Sequence, residues 1–476
     1  MKTDTIAAIA TALSESGIGI IRISGPEAIE VADRCFATKS GRRILKNCDT
    51  HTIHYGFILN QDEVVDEVMV TLMRAPRSYT TEDTVEINCH GGVLLMRKIL
   101  ETVLENGARM AEPGEFTKRA FLNGRIDLSK AEAVMDLIHS SNDFAMRSSV
   151  KQLRGVVSEK IKSLRAKVIY EIAFIESALD DPEHISTDGY NEKLSVIVDQ
   201  LLQELKKMLA SADNGRMLKE GIQTVIVGKP NAGKSSLLNL MVGEEKAIVT
   251  DIAGTTRDVL EESIRLRGIG LNVIDTAGIR ATDDVVERIG VERAKKSAGE
   301  ADLLIYVVDT SVPLDESDQE IMEMIGDRKC IVLFNKTDLE PVVTEENFLK
   351  EFEKKRSLKE MNGLSAESID SVRVVRTTTK EKTGLDELED VLEYLFFQGK
   401  IKSSDEVVIT NMRHKEALQD AYNSLLMVKR SLEDDMPEDF YSIDLMSAYT
   451  SLGYIIGEEV GDDLVNEIFS KFCMGK

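Results

Sequence analysis

Apolar residues recur along the chain with three different rhythms. Over residues 1 to 120, short β-branched runs (GIGIIRIS, EVMVTLM, TVEINCH) alternate with Gly-rich turns and one helical stretch, VLLMRKILETVLENG, which predicts a compact α+β domain. From 121 to 218 the period lengthens. Leu153, Val157, Ile161, Leu164, Val168, Ile172, Ile175 and Leu179 recur at three- and four-residue steps and share one helix face, as do Leu194, Ile197, Leu201, Leu205 and Leu209. Such stripes predict the core of a helical bundle. From 219 to 384 the texture becomes strand, Gly loop, helix: QTVIV, GLNVIDTAG, ADLLIYVVD, KCIVLFNKTD and VRVVRTTT are nearly continuous apolar runs, as expected of a parallel sheet covered on both faces. Residues 385 to 476 are helical again. The expected architecture is therefore multidomain, with an α+β N-terminal domain, a mostly α-helical central domain in two pieces, and an inserted α/β P-loop domain. The charged stretch from about 340 to 370 reads as a solvated insertion.

The phosphate-binding chemistry sits at the first of those strand ends. GKPNAGKSS, running from Gly228 to Ser236, follows QTVIV and opens the helix SLLNLM, the setting of a P-loop. Glycines such as Gly233 let the backbone of Asn231, Ala232 and Ser236 wrap phosphates, Lys234 neutralises the β- and γ-phosphates, and the Ser235 hydroxyl can ligate magnesium. DTAG (Asp275, Thr276, Ala277, Gly278) ends LNVI, where a carboxylate reaches the magnesium shell and a glycine amide senses the γ-phosphate. NKTD ends CIVLF, and its Asp338 can accept from the N1–H and exocyclic amine of guanine, a pair adenine lacks, with Asn335 and Lys336 beside it. These residues predict a GTP/GDP-binding GTPase.

Composition narrows the setting. Five scattered cysteines with no C-x-x-C pair suggest neither a disulfide framework nor a zinc site and fit a reducing cytoplasm. The N-terminus lacks a basic start and a long apolar run, and no stretch approaches the length of a membrane span, so a soluble protein with no membrane partner is expected. A net charge of −24 argues against generic polyanion binding, although screening leaves room for a local basic site.

The nucleotide motifs resemble those of the translation-factor-like GTPases. GTTRD stands where the second GTPase box belongs, following AIVTDIA, and spans the positions Thr250, Asp251, Ile252, Ala253, Gly254, Thr255 and Thr256. In the potassium-dependent GTPases carrying this box, the resemblance implies that Asn231, Thr250, Ile252 and Thr255 hold potassium and that Thr256 joins Ser235 on magnesium. A cation there can act as an arginine finger does, though Arg257 and Arg280 could also serve. Ile279 follows the DTAG glycine and cannot orient water. By resemblance to the VERIG motif, Glu287 positions the attacking water.

The chain ends decide which GTPase family is resembled. IGIIRISG, SYTTEDTVEINCHGG, AEPGEFTKRAFLNGRIDLSKAEAVMDLI, TNMRH and IFSKFCMGK look, in that order and over the whole chain, like the MnmE (TrmE) family of tRNA-modifying GTPases. The resemblance implies a homodimer that binds tRNA. It also implies a heterotetramer-like complex with a flavin-containing partner, MnmG (GidA), that installs a carboxymethylaminomethyl-type group at C5 of the wobble uridine. The implied one-carbon source is 5-formyltetrahydrofolate or a related tetrahydrofolate, bound by Arg22, Glu86, Arg125 and Lys476, with Cys473 as a functional thiol. By themselves, Arg22 could be an edge-strand charge and Lys476 a frayed terminus. Departures from the family pattern are the loop TALSESG, Met446, Tyr454, Met474, and Thr378, Thr379 and Lys380 where a Ser-Ala-Lys turn is usual. A ribosome-assembly GTPase is the rival reading, but the chain carries no second GTPase domain or KH module; an iron-transport GTPase would need membrane spans.

Overall fold

A computed structural model describes residues 4–475 apart from 62, 141, 182, 245–261, 267–268, 275–298, 300, 327, 361–371, 379, 381–382, 398–407, 459 and 474. The chain forms two compact units. The first comprises Met1–His139, Ser149–Gln203 and Glu416–Lys476; the second comprises Ser140–Ser148 and Glu204–Lys415.

The first unit opens on a seven-stranded sheet: β1 (Ile6–Ile9), β2 (Ser16–Ser24), β3 (Phe36–Ala37), β4 (Thr52–Asn60), β5 (Glu63–Met73), β6 (Thr84–Gly91) and β7 (Arg109–Met110), in the spatial order β3-β4-β5-β6-β2-β1-β7. All neighbours are antiparallel except β1 and β7. Alternation splits each strand between two faces. Ile21, Ile23, Val68, Val70, Val85 and Ile87 point into a core closed by helices α1 (Ala28–Cys35) and α2 (Val93–Glu105), through Ile29, Val31, Met96 and Ile99. The opposite face carries Arg22 and Glu86 as cross-strand partners, and leaves Tyr55, opposite Met69, exposed together with Ile53.

Helices α3 (Glu115–Leu122), α4 (Leu128–Ile138), α5 (Asp143–Leu153) and α6 (Val156–Asp180) follow. The expected stripe does not run through one helix: Gly155, at φ 95°, breaks the chain between Leu153 and Val157. A side chain there would be strained at that φ, and its Cβ would meet Lys130 Cε at 2.9 Å. Beyond the break, Val157, Ile161, Leu164, Val168, Ile172 and Ile175 are buried as expected, whereas Leu179 is exposed and Ala178 takes the inner position. In α7 (Tyr190–Glu220), Leu194, Leu201 and Leu205 are buried, while Val198 and Met208 replace the half-buried Ile197 and Leu209. The true stripe follows 3.6 residues per turn, and integer steps drift off it.

The second unit is built on β8 (Ile222–Val227), β9 (Glu262–Leu266), β10 (Ile269–Val273), β11 (Leu303–Asp309), β12 (Cys330–Asn335) and β13 (Val372–Arg376), ordered β13-β12-β11-β8-β10-β9 and parallel except for β9. Every residue of β11 and β12 is buried, the property that made their sequences uniformly apolar. Helices α8 (Lys234–Glu244), α9 (Glu316–Ile325), α10 (Glu345–Glu360) and α11 (Leu385–Phe397) also belong to this unit. The last of these buries Leu388, Leu392 and Phe396 in the core against Val375 and Leu271, so the sheet's cover extends past the expected boundary at 384. Helices α12 (Met412–Glu433), α13 (Glu438–Ile456) and α14 (Asp462–Ser470) complete the described chain.

One expectation is corrected here. The first part of the charged stretch after NKTD is no solvated insertion, because α10 buries Phe348 and Phe352 in the core: the Phe348 ring centroid lies 5.9 Å from that of Tyr306, 5.6 Å from that of Phe334 and 6.3 Å from that of Phe352. Two aromatics four residues apart were diluted by the charges around them. Phe348→Ala should therefore destabilise the second unit by about 3–5 kcal/mol, the usual cost of emptying a buried aromatic site. Denaturant unfolding of the full chain, followed with a probe in this unit, measures it; a change under about 0.5 kcal/mol would restore the insertion reading.

Candidate functional site: a guanine-nucleotide site and a paired-arginine site

In the second unit the strand order reverses around β8, which lies between β11 and β10, and the loop at its C-terminal end is the P-loop. Open parallel sheets bind ligands at such a switch point. The loop's shape follows from three residues at positive φ: Gly228 (152°), Asn231 (61°) and Gly233 (104°). Gly228 is required twice over, since a Cβ there would stand 2.5 Å from the Val307 carbonyl. The Lys229 carbonyl accepts the Ala232 amide at 3.2 Å, closing the turn, and α8 starts at Lys234 with Ser235 and Ser236 exposed in its first turn. Lys234 Nζ donates to the carbonyls of Gly228 and Lys229, both at 2.7 Å. Burial pushes this ammonium below the ordinary lysine value. Among the described residues no carboxylate pairs with it.

NKTD stands at the end of β12, two strands away, and the two loops are joined. Asn335, 1% exposed, donates from Nδ2 to the Ala232 carbonyl at 2.8 Å. Its own carbonyl accepts the amide (3.2 Å) and hydroxyl (3.0 Å) of Thr310. Lys336 adopts φ 62° and reaches Asp309 Oδ2 at 2.5 Å. Burial raises the Asp309 pKa, but hydrogen bonds from Lys336 and from the Ser311 hydroxyl and amide outweigh it and hold the carboxyl below its usual range. Thr337 Oγ1 lies 2.7 Å from Thr378 Oγ1 and 3.2 Å from the Thr377 carbonyl, so hydroxyls tie the unusual TTTK segment to the guanine loop. Asp338 is exposed at the mouth. Asp309 and Thr310 escaped notice in the sequence because ADLLIYVVD reads only as a strand; the polar DTS that ends it was the available signal.

Of the expected nucleotide residues, the structure brings together Asn231, Ala232, Gly233, Lys234, Ser235, Ser236, Asn335, Lys336 and Asp338. Thr250, Asp251, Ile252, Ala253, Gly254, Thr255, Thr256, Asp275, Thr276, Ala277, Gly278 and Glu287 lie outside the described residues, as do Arg257, Ile279 and Arg280.

The first unit holds the other predicted set. Strand register places Arg22 beside Glu86, with Nε to Oε1 at 2.8 Å, and Arg22 Nη1 donates to the Gly475 carbonyl at 3.1 Å. The guanidinium lies 5.7 Å from the Tyr79 ring centroid and 5.6 Å from that of Phe116, and Arg125 stacks on the same Tyr79 at 4.8 Å. Arg125 also donates to the Tyr79 carbonyl at 3.0 Å. A cavity of about 580 Å³ beside it is lined by Tyr79, Arg125, Arg77, His51, Met73 and Asn123, among others, and Arg22 and Glu86 are not in its wall. Arg22 is therefore a tethered internal residue, its side chain 16% exposed, and no edge charge. The C-terminal segment is docked as far as Gly475, whose Cβ would meet the Ile9 carbonyl at 2.4 Å. Cys473 is exposed. Lys476 and Met474 lie outside the described residues, and Tyr79 and Phe116 were not among the expected residues.

A phosphate loop at the switch point, tied to an NKTD loop with an acceptor for guanine, defines the class: a P-loop GTPase fold joined to an α+β sheet domain and a helical domain. Family-scale likeness gives the particular branch. Residues 5–125 match the model of the GTP-binding protein TrmE N-terminus, and residues 128–473 match that of the MnmE helical domain. The tRNA modification GTPase MnmE of Lachnoclostridium phytofermentans is 56% identical over 100% of both chains. That of Clostridioides difficile is 47% identical over 99% of each, and that of Bacillus subtilis 44% identical over 99% of this chain and 100% of its own. This chain belongs to the MnmE family of tRNA modification GTPases.

The Lys336–Asp309 pair gives a test. Asp309→Asn should release Lys336 and weaken GDP binding about 3- to 10-fold, read by titration with a fluorescent GDP analogue. Because the folded carboxyl is depressed, the pairing is fully present above the ordinary carboxylate pKa and is lost as pH falls through the folded value. Wild-type affinity should then be flat over roughly pH 6 to 8 as far as this pair governs it.

Proposed function

We propose that this protein is a cytoplasmic, potassium-dependent GTPase that acts with a flavin-containing partner of the MnmG type to build an aminomethyl-type substituent at C5 of the wobble uridine of certain tRNAs. The observation carrying this reading is the conjunction of a complete guanine loop on a P-loop with likeness to tRNA modification GTPases from end to end of the chain. Neither half would suffice: the nucleotide site alone defines a switch, and the flanking domains alone define no energy source.

The chain's own residues divide the work as follows. Lys234 and the amides around Asn231 to Ser236 bind the phosphates, Asn335 and Lys336 shape the base site, and Asp338 accepts from guanine. Ser235 with Thr256 would hold magnesium, and Asn231 with Thr250, Ile252 and Thr255 would hold potassium, which supplies positive charge for the leaving group. Asn231 is exposed at positive φ on the phosphate loop, a position that suits an outward-facing ligand. Glu287 would orient the attacking water. In the first unit, the Arg22–Glu86 pair beside Tyr79, with Arg125 and Arg77 near it, combines a flat aromatic contact with cations. That donor set suits a pterin and a carboxylate tail, with Lys476 as a further cation. A tetrahydrofolate held there would supply the one-carbon unit, near Cys473. The exposed Ile53, Tyr55 and Met69 on the open sheet face support self-association into a homodimer. Among the described residues no helix is long and apolar enough to cross a membrane.

Two measurements test the reading. Mass spectrometry of tRNA nucleosides from cells lacking this protein should find the C5-substituted wobble uridine absent; an unchanged nucleoside profile would favour a ribosome-assembly role. GTP turnover by the purified protein should fall at least tenfold when sodium replaces potassium, and equal rates would remove the cation from the mechanism.

A further inference from the structure

Lys229, the second residue of the P-loop, meets a buried carboxylate that the nucleotide motifs do not involve. Its Nζ stands 2.7 Å from Asp318 Oδ2, 3.1 Å from Asp315 Oδ2 and 3.2 Å from the Pro313 carbonyl. Asp318 is 1% exposed and otherwise has neutral donors: the Tyr306 hydroxyl at 2.6 Å on Oδ1 and the Asp315 amide at 2.8 Å on Oδ2. Tyr306 is fully buried at the middle of β11, the strand beside β8. A continuous polar strap therefore runs from the phosphate loop through the capping box of α9 to the centre of the sheet. The other end of the same residue is equally committed. Its carbonyl accepts both the Ala232 amide and Lys234 Nζ, and Pro230 behind it restricts its backbone to extended conformations.

We infer that Lys229 is a positioning residue for nucleotide binding: by anchoring its side chain on Asp318 it fixes the carbonyl that aims Lys234 at the phosphates. The inference rests on the GTP reading of this site. The bland alternative is a helix-capping ion pair that stabilises α9 and leaves the loop unaffected. The two differ in what they predict for affinity. Without the Lys229 ammonium, Asp318 stays buried with, among the described residues, neutral donors only, two carboxylates face the loop unneutralised, and the wall gripping Lys234 loses its anchor.

The test uses the full-length protein and a fluorescent GDP analogue, with GTP turnover as the second readout. Wild-type binding checks the GTP reading by itself. Lys229→Met should raise the analogue's Kd and the KM for GTP about tenfold, and Lys229→Arg, which keeps the charge and reach, should stay within threefold of wild type. Asp318→Asn, which keeps the Tyr306 contact, should raise Kd at least threefold, and adding Lys229→Met to it should cost less than the product of the single effects. If Lys229→Met is folded, melts at a lower temperature and binds the analogue with unchanged Kd, the residue is only a cap and the inference fails. It fails equally if the double variant is fully multiplicative. Should Lys229→Met not fold, the Asp318→Asn and Lys229→Arg affinities decide by the same thresholds.

Discussion

The nucleotide site depends on one buried hydrogen bond, from the Asn335 amide to the Ala232 carbonyl. The P-loop must present its amides to phosphate, so its carbonyls turn the other way, toward protein, where an unsatisfied one costs about 1–3 kcal/mol. Ala232 is 1% exposed and has no water to turn to. An asparagine at the end of β12 meets that demand and at the same time fixes the start of NKTD, since its own carbonyl is held by Thr310. Phosphate recognition and base recognition, built on strands two apart in the sheet, thus become one rigid object. The parallel register of β11 with β12, Asp309 opposite Asn335, sets the span that the side chain bridges.

The first unit solves a related problem on an antiparallel sheet. Period two forces Arg22 out of the core that Ile21 and Ile23 occupy, and the partner strand must send Glu86 to the same side because Val85 and Ile87 face inward. A charged pair on a sheet face would ordinarily be solvated and weak. Here Phe116, Tyr79 and the docked Gly475 carbonyl surround the guanidinium, so the pair is held in place by residues drawn from α3, a loop and the chain's C-terminal segment. Strand alternation makes the position, and distant segments make it a site.

This contrast explains what was legible in the sequence. The P-loop and NKTD are contiguous strings whose spacing is set by local backbone chemistry, so their placement at strand ends could be read directly, and the sheet they sit on followed from its uniformly apolar strands. Helix faces were legible to within a residue, failing at Gly155 and at Leu179, where integer steps depart from the true pitch. Contacts made across the fold were not legible. Phe348 and Phe352 were hidden in a charged stretch, the helix from Leu385 was assigned by rhythm to the wrong side of a boundary, and Tyr79, Asp309 and Asp318 acquire meaning only when segments 27 or more residues away arrive beside them. No local pattern encodes that arrival.

Charge placement in the second unit follows from the same tethering. The chain is acidic overall, at −24, yet must attract a triphosphate. Three lysines crowd the two nucleotide loops, and the fold neutralises two of them with carboxylates: Lys229 on Asp315 and Asp318, and Lys336 on Asp309. Among the described residues Lys234 alone of the three meets no carboxylate; the Gly228 and Lys229 carbonyl dipoles orient its ammonium without neutralising it. Partial burial weakens competition from solvent and, by desolvation, lowers the pKa of this ammonium from the ordinary lysine value. The positive potential is thereby concentrated on the one side chain whose place in the loop suits phosphate. The other two are converted into struts, so the site can be cationic at a point while its surroundings stay as acidic as the rest of the chain.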